Sequence, residues 1–221
     1  MKKAVFREPV ITAVVIFLLC FAEGQITIAS PYNILGLPFT ENWKSGTFTL
    51  HDWQFPMGQG NWQISFNTGN PAPSAEFSGT PSVMHYNSAL VSPWFKGQDY
   101  SCSDIWLSFD IRLLSSSNTG NEKMEVEYCF HDTTWYNLMD FRNTFSFSWT
   151  NYRIPLPHAS SHYFKIRFRA AGINSSAISA WNIDNISVDY IRRKADHVYG
   201  CEHSSTDLMI SWDPVINYTH Y

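Results

Sequence analysis

Three stretches of this chain alternate apolar and polar residues without interruption, and they limit the folds open to it. In "DIWLSFDIRLL", Ile105, Leu107, Phe109, Ile111 and Leu113 share one parity, with Ser108, Asp110 and Arg112 on the other. In "EKMEVEYCF", Met124, Val126, Tyr128 and Phe130 stand against Glu125, Glu127 and Cys129. In "HYFKIRFRAAG", Phe164, Ile166, Phe168 and Ala170 stand against Lys165, Arg167 and Arg169. Side chains on a strand point alternately to opposite faces, so each stretch is a strand with one apolar and one polar face. Turn-forming residues separate them, in "SSSNTGN", "FRN" and "AAGINSS". Strands wet on one face bury the other by stacking two antiparallel sheets. The expected fold is therefore all-β, a two-sheet sandwich. Apolar residues are 44% of the chain and charged ones only 15%, ample for a packed core and unlike a disordered segment.

The N-terminus has the layout of an export signal. Lys2, Lys3 and Arg7 precede an apolar run from Val10 to Ala22, which is shorter than the roughly 20 residues a spanning helix needs. Small residues Ala22 and Gly24 offer a cleavage edge, so residues 1–24 are expected to be a signal peptide and the rest secreted or held at the cell surface, with no stable membrane span. Beyond that segment the only basic run is the three-residue Arg192-Arg193-Lys194, and the whole chain carries a net charge of −4, which argues against nucleic acid as partner. Three cysteines follow the signal, Cys102, Cys129 and Cys201, enough for one internal disulfide at most. A Cys102–Cys129 bridge would form if their strands are neighbours.

The segment "NPAPSAEFSGTPS" at 70–82 is rich in Pro and Ser and reads as a long loop between strands. After Tyr190, "IRRKADHVYGCEHSS" is polar and reads as a linker over 191–205. Leu208, Ile210 and Trp212 then alternate, so 206–221 is expected to begin a second, truncated β domain. The main domain spans 25–190.

One strand breaks its own rhythm. In "SAWNIDNISVDY", Trp181 and Ile183 are odd-numbered, whereas Ile186, Val188 and Tyr190 are even. One extra residue in a β-bulge makes such a switch, and it falls at Asp184-Asn185. A bulge that carries Asp and Asn exposes carboxylate, amide and unladdered carbonyl oxygens, the donors a hard cation prefers. The alternative is that both side chains bond local backbone.

The ordered series "LPFTENWKSGTF", "NWQISFNTGNPAPSAEFSG", "SALVSPWF", "LSFDIRL", "NEKMEVEY" and "KIRFRAAGINSSAISAWNIDNISV" resembles the MAM-like, concanavalin-type jelly-roll modules of secreted bacterial surface proteins, including the choice-of-anchor J and cleaved-adhesin types. It covers residues 35–190. "DLMISWDPV" resembles the first strand of a fibronectin type III domain. The resemblance implies a jelly-roll β-sandwich and a non-enzymatic adhesive role, binding glycan or extracellular protein as part of a larger protein. It also implies a structural calcium ion, Ca2+, with Glu41, Asp184 and Asn185 as ligands. Lys44 stands where many relatives carry an acid, so a Lys44 ion pair could replace the cation.

Glu125 and Glu127 share an outward face at the i, i+2 spacing seen in jelly-roll glycosidases, which makes a glycoside-acting enzyme an alternative. A passive stalk beside a catalytic domain such as a peptidase is another. Two Glu on a strand's polar face ordinarily keep that face solvated. The eight His are scattered, and neither HExxH, GxSxG nor a P-loop occurs. Among nine Trp, Trp106 and Trp135 are the expected ligand-binding residues. Trp106 points away from the apolar face of its strand, and Trp135 lies in the turn "HDTTWYN", where an aromatic ring can meet a sugar or a protein.

Overall fold

A computed structural model describes residues 33–101, 103–130, 134–193, 195–202 and 208–214; the expected signal peptide and Cys102 lie outside them. The described chain is built from strands and three short 3-10 turns. The strands are β1 (Ile34–Leu35), β2 (Phe39–Glu41), β3 (Trp62–Ser65), β4 (Ser74–Ser78), β5 (Asn87–Val91), β6 (Trp94–Lys96), β7 (Ser103–Ser115), β8 (Lys123–Cys129), β9 (Tyr136–Arg142), β10 (Phe147–Pro155), β11 (Tyr163–Ala171), β12 (Ile178–Arg192), β13 (Ala195–Glu202) and β14 (Leu208–Pro214).

Two six-stranded sheets form the body. The first runs β1-β6-β11-β8-β9, with β5 continuing β6 along β11; the second runs β10-β7-β12-β4-β3, with β2 beside β12. Apart from the parallel β1–β6 pair, every pairing is antiparallel. This is the expected jelly-roll sandwich. The three alternating stretches are β7, β8 and β11, and their apolar parities meet in the core. Phe109 of β7 and Phe168 of β11 are fully buried and touch edge to face across the layers, 5.2 Å between ring centres. That geometry suits the aromatic quadrupole and adds to the burial of two large side chains.

Two segments differ from expectation. The Pro-rich 70–82 loop contains β4, which pairs with both β12 and β3. Ala75 and Phe77 alternate inward between the flanking prolines and are buried, so a strand of five residues outweighs the surrounding turn composition. Residues 195–202, expected as linker, form β13, which pairs with β14 in a separate two-stranded sheet. The alternating Leu208–Trp212 strand thus has its partner just upstream.

Candidate functional site

The skipped beat in β12 is a bulge. Its register against β7 shifts between Asp184 and Ser187, and Asn185 takes φ 47°, in the left-handed region that Asn tolerates better than most residues. Trp181, Ile183, Ile186 and Val188 are all fully buried, so both halves of the strand face one core. The bulge also marks a change of neighbour. On the side away from β7, β12 pairs with β4 as far as Ile183 and with β2 from Ile186.

Asp184 fills the gap between them. Fully buried, it accepts the backbone N–H of Asn70 at 2.6 Å and that of Asn185 at 2.7 Å. Directly opposite, Asp110 accepts the side-chain amides of Asn70 (2.9 Å), Asn185 (2.8 Å) and Asn151 (2.7 Å). Two facing carboxylates are thus held together by amide donors. Burial pushes the Asp184 carboxyl above its ordinary pKa; the two backbone N–H groups oppose that rise, and Asp110 and Glu41 add to it.

Glu41 does not join this node. Its register partner is Ile186, a core-facing residue, whereas Asp184 shares the outward face of Asp110. Its Oε1 accepts the Trp43 backbone N–H at 2.9 Å, and its Oε2 lies 2.7 Å from His51 Nδ1. The expected calcium ligands are therefore split between two faces, with Asp184 and Glu41 each accepting backbone N–H groups and Glu41 also meeting His51. Among the described residues, no group of three or more His, Cys, Asp or Glu is arranged to hold a metal ion. Lys44 is exposed and forms no ion pair among the described residues; the polar partner of Glu41 is His51.

The outward face of the first sheet carries the second constellation. Glu125 and Glu127, expected on a solvated surface, are 8% and 6% exposed. Cross-strand pairing explains it: β8 lies against β11, with Glu127 opposite Arg167 and Glu125 opposite Arg169. Glu127 Oε2 accepts from Arg167 Nε at 2.6 Å and from Arg169 Nε at 3.0 Å. Glu125 pairs with Lys123 at 2.7 Å and with Arg169. Burial would raise the Glu127 carboxyl, but the two guanidinium groups outweigh it and hold it below its ordinary pKa.

Tryptophans flank this ladder. The Lys165 ammonium lies 4.5 Å from the ring centre of Trp94 on β6, and the Arg167 guanidinium lies 4.1 Å from that of Trp135, just before β9. β6 and β9 border the β11–β8 pair, so the two rings stand on either side of the ladder. Both rings are partly exposed. Trp106, the other expected ligand-binding residue, lies on the opposite side of the sandwich. It projects outward from β7 with the Arg153 guanidinium 5.2 Å from its ring, beside a cleft of about 280 Å³ lined also by Pro155, His158 and Arg193. The structure thus places Trp106 and Trp135 on different faces and brings Trp135 together with Trp94. The roles of Lys165, Arg167 and Arg169 were missed in the sequence, where only their shared parity was visible.

No protein-family profile matches the chain, and no curated protein matches it significantly. Among solved structures, it is similar to the K1 cleaved adhesin domain of Lys-gingipain from Porphyromonas gingivalis W83, at 13% identity and TM-score 0.52, covering 69% of this chain and 97% of that one. The K3 cleaved adhesin domain of the same protein gives 15% identity and TM-score 0.51, covering 68% and 98%. The chain shares their fold. A third neighbour is the module TmCBM61 in complex with β-1,4-galactotriose, at 13% identity, TM-score 0.49 and coverage of 68% and 94%.

Proposed function

We propose that this chain is a non-catalytic binding module of a larger, exported protein, taking a glycan chain across the Trp94–Trp135 face. The observation that carries the reading is the pair of partly exposed indole rings at either end of a rigid, ion-paired floor. Aromatic rings offer flat apolar surface to the C–H faces of sugars. The floor is held by cross-strand pairs rather than by loops. In this reading the module is of the MAM-like, cleaved-adhesin type, residues 1–24 are its export signal, and the mature chain works outside the cell.

The ladder also argues against the glycosidase alternative. A general acid at Glu127 would need a raised pKa and a path to substrate. Glu127 is instead buried, doubly paired with arginine and held low.

Affinity electrophoresis through gels containing soluble polysaccharides tests the reading. At least one polysaccharide should retard the protein, and Trp94→Ala and Trp135→Ala should each abolish most of that retardation while Trp106→Ala does not. Full retardation of both face variants would overturn the assignment to this face.

A further inference from the structure

We propose a second, separate binding site for a neutral sugar, in the cleft formed by the loops around Thr47–Thr49, Trp53–Gln59 and Gln63–Phe66. The cleft encloses about 450 Å³, within the range of small-molecule sites, and shares no residue with the Trp94–Trp135 face.

Its chemistry selects the ligand class. No charged side chain lines it. One wall is the ring of Phe66, 68% exposed. Gly46 lets that ring come close: with φ +70° it closes a turn through its N–H to the Trp43 carbonyl, and a Cβ there would sit 3.1 Å from the Phe66 ring. Phe55 supplies a second, partly exposed ring.

The polar groups are biased toward accepting. Gln59 donates its amide to the Trp62 carbonyl at 2.8 Å, and Gln63 donates its own to Glu76 at 2.8 Å. One N–H of each amide is thereby turned to the protein, and the amide oxygens receive no donor from the described residues. The Thr47 and Thr49 hydroxyls, 2.9 Å apart, add groups that both accept and donate. At the base is Trp53, 4% exposed, whose indole N–H has no hydrogen-bond partner among the described residues.

A neutral sugar complements each of these features. It brings hydroxyl donors for the amide oxygens, ring and hydroxyl oxygens as acceptors, and an apolar C–H face for Phe66, with no charge to desolvate in an uncharged cleft. An anionic ligand would find no cation here, and an apolar one would leave the acceptors unmet.

Isothermal titration with a panel of neutral hexoses and their trisaccharides tests this on four proteins: wild type, Phe66→Ala, Gln63→Ala and Trp135→Ala. Phe66 and Gln63 are exposed, and circular dichroism with thermal melting checks that each variant is folded. We expect one or more neutral sugars to bind wild type and Trp135→Ala equally, and to bind Phe66→Ala about tenfold more weakly. Gln63→Ala should weaken the same sugars. No neutral sugar bound by wild type, or unchanged affinity in Phe66→Ala, overturns the site. Loss in Trp135→Ala with Phe66→Ala unaffected assigns all sugar binding to the sheet face, and retention in Trp135→Ala with loss in Phe66→Ala separates the two sites.

Discussion

The ion-paired ladder on the first sheet makes a quantitative prediction about Glu127. Changing it to Gln removes the charge that faces two guanidinium groups and leaves one neutral oxygen for both. Were these solvated surface pairs, the cost would be no more than about 1 kcal/mol. Their side chains are instead only 14%, 20% and 7% exposed for Arg167, Arg169 and Glu127. Removing one partner of a pair so poorly solvated strands the other charges, at a cost of about 3 kcal/mol. Urea unfolding followed by tryptophan fluorescence reads this as a fall in midpoint at unchanged slope. The difference should also depend on pH. The folded state holds Glu127 more acidic than the unfolded chain, so it binds fewer protons there, and the stabilisation from ionised Glu127 is present above its unfolded value near 4.5. It is lost as pH falls through the folded pKa, so wild type and variant should converge in acid. Replacing Glu127 with Leu and Arg167 with Met together, while Arg169 keeps its pair with Glu125, should recover much of the loss, because neither guanidinium is then stranded. A cost below 1 kcal/mol, or one that does not shrink toward low pH, would refute the buried-network argument.

Two further predictions concern the bulge. Asn185→Ala should destabilise by about 2 kcal/mol, since it places a Cβ-bearing residue without a local hydrogen bond in the left-handed region and removes a donor to Asp110, whereas Asn185→Gly should lose only the donor; chemical denaturation of the two variants checks the order. Melting with calcium and with chelator should give the same Tm, because amide and backbone N–H groups already meet the carboxylates; a calcium-dependent rise abolished by Asp184→Ala would restore the ion to this node.

Much of the fold was legible because burial on one face writes itself into the sequence at period two. β7, β8 and β11 could be drawn from their alternation, and even the bulge could be placed, since a parity change between Ile183 and Ile186 has few other causes. What alternation does not encode is which strands become neighbours. Arg167 and Glu127 are forty positions apart, and only the jelly-roll order, which seats β8 beside β11, turns two ordinary polar faces into one ladder. The same ignorance of neighbours left Trp106 and Trp135 as separate candidates and gave no sign that Trp94 shares a ladder with Trp135. β4 was hidden by the prolines around it, and β13 by its polar composition. The cleft beside Phe66 was not foreseen, because loop composition alone does not say which side chains converge.

The extra residue at Asn185 also governs how this gene can change in length. Deleting the codon for Asn185 alone would bring Trp181, Ile183, Ile186 and Val188 onto one parity and make β12 a regular strand, losing the amide that Asn185 gives Asp110. Elsewhere along this strand a single insertion or deletion would turn one half away from the core, so the bulge is the one place where β12 can change length by one residue.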